Sequence, residues 1–159
     1  MKIEIETIGI IKTPFDDPKK MPIHPSGASD LVCEAILEER YAEGLKDLDG
    51  FSHIYLIYFF HKTARTALTV VPFMDTHEHG VFATRSPVRP AHIGLSIVEL
   101  VSVEKNRLKF RGADMLDGTP LIDIKPYTPK FDICEKATSG WMNFTIEEMA
   151  RKCSDERFT

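Results

Sequence analysis

Cysteine is scarce: three residues, Cys33, Cys134 and Cys153, lie far apart and form no CxxC pair. An odd, scattered set excludes a disulfide-stapled scaffold and points to a reducing compartment. Long hydrophobic runs are missing too. No segment approaches the roughly 20 apolar residues of a membrane-spanning helix, and the opening MKIEIETIGI alternates charge with isoleucine, unlike a secretory or transit peptide. The expectation is a cytoplasmic protein. No two of the nine glycines lie within two positions of each other, so neither GxGxxG nor a P-loop is present and a Rossmann-type nucleotide site is excluded. Positive charge is not in excess: the formal net charge is −4, so any contact with RNA phosphates has to come from a local basic patch.

What is there suits one domain spanning residues 1–159, with 43% apolar and 28% charged residues. KIEIETIGII predicts an opening strand, Ile3 and Ile5 facing opposite to Glu4 and Glu6. The proline-rich stretch 12–30 is too long and stiff for a tight turn and reads as a functional loop, a lid or a wrapped connector. Residues 31–37 alternate like a strand, and EERYAEGLKDL predicts a short helix ending near Gly50. FSHIYLIYFFHK predicts a central strand with His53, Tyr55, Ile57, Phe59 and His61 on one face. TALTVVPF predicts another strand. Residues 93–127 read as successive hairpin strands, turning near Lys105-Asn106 and at Asp117-Gly118. A helix over about 145–154 is expected from the Thr145/Glu148 capping-box pattern, with Ile146, Met149, Ala150 and Cys153 on one face. The sum is a mostly-β fold, a small or partly open barrel covered by one or two helices, with no βαβ alternation.

Three motifs carry chemistry. In ATRSPVRP, Pro87 and Pro90 bias Ser86 and Arg89 to extended geometry, and rigid spacing lowers the entropy lost when Arg85 and Arg89 present planar forks to a carboxylate or phosphate. The alternative is a proline-rich connector whose arginines pair with surface acids. Asp117-Gly118 is first a turn, although a tight turn also exposes amides, carbonyls and a carboxylate to a ligand. Lys125 precedes a proline at a strand end, where Tyr127 could stack on a base. DTHEHG, with His77 and His79, matches neither HExxH nor a structural zinc pattern and reads as a solvated loop, so no metal is expected. His53 and His61 lie in an apolar strand, with His61 the better candidate for a pocket wall.

Together these residues resemble one family. GVFATRSPVRPAHIGLS (80–96) closely resembles the TsaA-like (TrmO) signature GVFATRSPxRPNPIGLS. YAEGLKDLDGFSHIYLIYFFH and DMLDGTPLIDIKPY match two further family blocks in the same order, and the similarity runs from about residue 8 to 127. The resemblance implies a non-Rossmann, β-barrel methyltransferase that uses S-adenosyl-L-methionine, is typically a homodimer, and methylates N6 of N6-threonylcarbamoyladenosine beside the anticodon of tRNA. It implies cofactor contacts from Pro22, Ile23, His24, Phe60, His61, Arg85, Leu95, Leu116, Asp117, Gly118 and Thr119. Arg89, Lys125 and Tyr127 become candidate substrate contacts, and Asp117 and His61 candidate catalytic groups, because the N6 nitrogen must lose a proton. Two places depart from the family pattern: Pro22-Ile23-His24 stands where the family has Pro-Arg-Gln, and Ala91-His92 where it has Asn-Pro. Two other readings remain: a methyltransferase for a different RNA or a small molecule, and a non-catalytic module that senses the cofactor or tethers RNA. A basic stripe of Arg107, Lys109 and Arg111 on the pocket face would favour RNA.

Overall fold

Alternating short runs of β-branched and aromatic residues build the strands of this chain. The computed structural model describes residues 1–19, 21–28 and 30–155. Its strands are β1 (Gly9–Lys12), β2 (Val32–Leu37), β3 (His53–Phe59), β4 (Thr69–Val70), β5 (His79–Gly80), β6 (Ile93–Glu104), β7 (Arg107–Arg111) and β8 (Thr119–Pro126). Six of them close a barrel in the order β1-β2-β7-β6-β3-β8, every pairing antiparallel, while β4 and β5 form a separate two-stranded ribbon. The expected barrel is thus fully closed, which removes the exposed edges of an open sheet.

Period-2 patterning decides what fills it. Ile54, Leu56 and Tyr58 of β3 point inward with Val98 of β6, Leu108 and Phe110 of β7, Leu121 of β8 and Ile11 of β1, all nearly inaccessible to solvent. Cys33 joins this core, and burial pushes its thiol up to about 11, so it behaves as a small hydrophobe. The other face of β3 and β6 is apolar but solvent-facing: Tyr55 pairs with Ile97, Ile57 with Leu95 and Phe59 with Ile93.

Several expectations need correction. The opening strand starts only at Gly9, and Ile3 and Ile5 are 75% and 50% exposed. Gly9 is opposite Leu37, the last residue of β2, so residues before Gly9 lose their partner strand on that side, while the Ile8 amide still donates to the Leu121 carbonyl of β8. The Lys105-Asn106 turn does join β6 to β7, but Asp117-Gly118 is no hairpin turn. Both edges of β7 are taken by β2 and β6, so the chain crosses the barrel end and Gly118, at φ 72°, turns it into β8 between β1 and β3. TALTVVPF pairs only through Thr69–Val70. The short helix expected before Gly50 consists of two 3₁₀ turns, Glu39–Leu45 and Leu48–Gly50.

Two short helices follow the barrel, α1 (Pro129–Asp132) and α2 (Ile146–Ala150), and α2 has the expected capping box. It is shorter than 145–154. Ile146 is exposed, and Cys153 leaves the helix line to form a β-bridge with Pro22 in the proline-rich loop.

One glycine governs the barrel mouth. Gly94 pairs with Tyr58, and a Cβ on Gly94 would stand 2.3 Å from the Tyr58 ring. Gly94→Ala should therefore cost about 1–3 kcal/mol through overpacking. In a urea titration the midpoint should drop at unchanged m-value, and an unchanged midpoint would show that the ring has room to move.

Candidate functional site at the barrel mouth

A cavity of about 490 Å³ opens where β3 ends and β6 and β8 begin. Its floor is the barrel: Tyr58, Gly94, Leu95 and Thr119, with Met115 and Leu116 from the crossover ahead of β8. Its roof comes from both ends of the chain, Pro22, Ile23 and His24 of the proline-rich loop and Trp141, Phe144 and Met149 around α2. Hydrogen bonds join the two halves of the roof. The Met21 amide donates to Ser154 Oγ at 3.1 Å, and the Ser154 amide donates to the Met21 carbonyl at 2.9 Å. Trp141 donates its indole N–H to the Ala83 carbonyl at 2.8 Å and stacks on His79 with centroids 4.3 Å apart.

The signature loop splits its two arginines. Thr84 Oγ1 donates to the Val81 carbonyl, the Ser86 amide donates to Thr84 Oγ1, and Val88 packs with Val70 and Val81 in a small core of its own. Arg89 turns its guanidinium onto the carbonyls of Val81 and Thr84, at 3.4 and 3.2 Å, bracing that loop from the cavity wall. Arg85 is the exposed one, and it reaches the cavity. Burial holds the His24 imidazole below its ordinary range, helped by the positive charge of Arg85. His92 lies at φ 49°, a conformation closed to proline, so the loop exit differs in backbone from one built with Asn-Pro. Its Nε2 lies 3.1 Å from the Arg65 carbonyl.

The structure brings together most residues that the motifs singled out. Pro22, Ile23, His24, Phe60, His61, Arg85, Leu95, Leu116 and Thr119 all line the cavity, whereas Asp117 and Gly118 sit behind its wall. Burial alone would raise the Asp117 carboxyl. The Thr13 amide, at 3.1 Å, and the Lys12 ammonium, at 3.4 Å, outweigh this and hold it below its ordinary range. Asp117 thus pins the turn to β1. His61 lies just past the end of β3, outside the expected alternation, with Nδ1 3.4 Å from Thr119 Oγ1. Burial and then Lys62 lower its pKa, against the pull of Asp117.

Lys125 and Tyr127 are not brought there. Lys125 pairs with Asp123, and Tyr127 packs on His53 and Tyr55 at the opposite end of β3, about 20 Å along the strand. Arg107, Lys109 and Arg111 run along the outside of β7, with Arg107 paired to Glu34 and Arg111 to Glu99. His77 and His79 close on Asp75 at 3.0 and 2.8 Å, and together they hold its carboxyl well below its usual range.

Sequence reasoning missed three features. Five of the six methionines (Met21, Met74, Met115, Met142 and Met149) line the cavity, giving it soft and adaptable walls. Their spacing follows no helix or strand period, so no pattern flagged them. Trp141, the lone tryptophan, lies in a stretch without periodicity that gives it no sequence signal. Asp114, inside the DMLDGTP block itself, was overshadowed by Asp117, yet it is the one that lines the cavity.

Residues 10–133 match the family model described as the tRNA-methyltransferase O N-terminal domain. A probable S-adenosyl-L-methionine-binding protein from Pyrococcus abyssi is 47% identical over 151 residues, covering 95% of this chain and 82% of that protein. The tRNA (adenine(37)-N6)-methyltransferase of Escherichia coli is 37% identical, covering 87% of this chain and 63% of the bacterial enzyme. The crystal structure of TrmO from Pseudomonas aeruginosa superposes with a TM-score of 0.75 at 34% identity, over 89% of this chain and 63% of that one. Barrel, cavity and matched sequence agree, and the chain belongs to the TrmO family through its tRNA-methyltransferase O N-terminal domain.

Proposed function

We propose that this protein is an S-adenosyl-L-methionine-dependent methyltransferase acting on N6 of N6-threonylcarbamoyladenosine at position 37 of tRNA. The observation that carries this reading is the convergence of separated motifs on one cavity of the size and apolar character usual for small-molecule sites. Its residues fit the cofactor. Methionine and aromatic walls suit an adenine and a sulfonium-bearing chain, His61 and Thr119 offer hydrogen bonds, and Arg85 offers a fork for a carboxylate. Pro22, Ile23, His24, Phe60, Leu95 and Leu116 would enclose it. When bound, the cofactor supplies an electrophilic methyl group, and the chain's own task is to align the acceptor nitrogen with it and exclude water.

A second cavity of about 660 Å³ beside the first shares Arg85, Arg89 and Phe144 with it and is edged by Phe82, 77% exposed. An exposed aromatic next to arginines is the arrangement that stacks an unpaired base and meets its phosphate, which supports a nucleotide of an anticodon loop as acceptor. The free cysteines support a cytoplasmic setting, and the apolar outer face of β3 and β6 supports a homodimer. No helix among the described residues is long and apolar enough to cross a membrane. One observation favours the second reading, a smaller substrate: the basic stripe of β7 is partly neutralised and does not line the cavity.

Thermal unfolding should rise with S-adenosyl-L-methionine and S-adenosylhomocysteine but not with NAD or ATP. At a hundred times Kd the gain is about 2.7 kcal/mol. No shift with either sulfur compound at millimolar concentration would reject the methyltransferase reading.

Arg85→Ala should weaken cofactor or tRNA binding at unchanged melting temperature, and Arg85→Lys should not restore it if the fork is used bidentately. Wild-type affinities in both variants would reduce Arg85 to a connector residue.

Labelled cofactor should methylate tRNA carrying the threonylcarbamoyl group well and tRNA lacking it poorly, since the missing carboxylate removes a charge-assisted contact at a mouth where the exposed guanidinium of Arg85 stands. Equal labelling of both would overturn carboxylate recognition. Labelling of neither, with cofactor binding confirmed, would favour the second reading.

A further inference from the structure

Three polar side chains at the cavity floor form a group that the motif resemblance leaves without a role. Tyr58 Oη of β3 lies 3.0 Å from Ser96 Oγ of β6, and Ser96 Oγ donates to Asp114 Oδ1 at 2.7 Å. Ser96 has a single hydroxyl proton, and Asp114 receives it. The Tyr58 hydroxyl is thus a donor here, facing both Ser96 Oγ and the Asp114 carboxylate, and the three side chains form one polar group. Tyr58 and Ser96 are buried, and Asp114 lines the cavity beside Gly94 and Met115. No ion pair is made to Asp114 among the described residues; Arg85 acts on it through space.

We propose that the Asp114 carboxylate is the proton acceptor of the methyl transfer, with Ser96 and Tyr58 as the residues that position it. This rests on the methyltransferase reading above. The acceptor nitrogen's electron pair forms the new N–C bond, the methyl–sulfur bond breaks with its pair left on sulfur, and the N–H proton passes to the Asp114 carboxylate.

Charge favours Asp114 over the histidines of the same cavity. A sulfonium and a carboxylate enter the step, and a thioether and a neutral acid leave it, so both charges disappear inside a site of low dielectric. If His61 or His24 took the proton, the product would be an imidazolium beside Lys62 or Arg85, with no charge removed. Burial pushes the Asp114 carboxyl up to about 6, against the lowering influence of the Ser96 hydrogen bond and Arg85. It is thus ionised at neutral pH yet more basic than an ordinary carboxylate. The titratable and charged groups facing it are Tyr58 from β3 and Arg85 from the signature loop, with His24 facing Arg85 in turn. The phenol titrates far above 10, because burial and then the Asp114 charge raise it, so it stays a donor throughout.

The test compares wild type with Asp114→Asn, Asp114→Glu and Ser96→Ala. It uses labelled cofactor and tRNA carrying N6-threonylcarbamoyladenosine from pH 5 to 8. Asp114→Asn should lower kcat by about 10²–10⁴-fold, with cofactor Kd and tRNA KM within about threefold, and Asp114→Glu should recover part of the loss. The wild-type rate should climb with pH and level off above about 6. Ser96→Ala, which removes a bond that favours the carboxylate, should move that limb to higher pH. A readout without turnover is the stability of the ligand-free protein, taken as wild type minus Asp114→Asn so that the histidines cancel. The folded pKa is raised, so this difference should fall as pH rises from about 4 to about 6 and then stay level. A kcat kept within threefold in Asp114→Asn, or a wild-type rate flat from pH 5 to 8, overturns the assignment alone. Wild-type protein that binds cofactor but labels no tRNA overturns the functional reading and this assignment with it.

Discussion

The Tyr58 ring lying against the bare backbone of Gly94 is the contact on which the rest of the site depends. The two residues are cross-strand partners, and only the missing Cβ lets the ring approach this closely. With the ring laid along β6, its hydroxyl reaches Ser96 two residues on, and Ser96 in turn holds Asp114 near the start of the crossover from β7. A packing constraint in the barrel wall thereby becomes a polar group on the cavity floor. On β8 the register slips between Ile57 and Tyr58, so an irregularity in the wall falls at this same level. Bulges of this kind turn side chains toward sites in many barrels.

Rigid floor and lighter roof follow from different kinds of bonding. The floor belongs to a closed antiparallel ladder around a filled core. The roof is stitched by the Pro22–Cys153 bridge, the Met21–Ser154 bonds and the Trp141 indole. Each such hydrogen bond contributes about 1 kcal/mol net, so lifting the roof costs far less than opening the barrel.

Strands and helix start were legible because their signals are local. The alternation of residues 53–59 and the Thr145/Glu148 box needed no knowledge of what lies across the fold. Strand order was not, since Asp117-Gly118 has the chemistry of a hairpin turn whether or not its flanking strands are neighbours, and only the occupied edges of β7 decide that they are not. Motif resemblance located the cavity lining well but could not separate Asp117, anchored outward to Lys12 and Thr13, from Asp114, three residues away and turned to the cavity. Lys125 and Tyr127 were drawn in by their chemistry, while the length of β8 carries them to the far end of the barrel.

Arg85 and Arg89 show how one rigid loop divides a single residue type between two tasks. Arg89 donates to two of the loop's own carbonyls, adding to the Thr84 bonds at Val81 and supplying a donor at Thr84, beside the buried Val81 and Val88. With the loop so braced, Arg85 is presented from a fixed backbone and loses less freedom in binding an anion. Its charge also acts on the groups around it, opposing protonation of His24 and favouring the ionised form of Asp114. The acidic net charge of the chain therefore places no limit on the site. What matters at the barrel mouth is one exposed guanidinium set against one half-buried carboxylate on the same cavity.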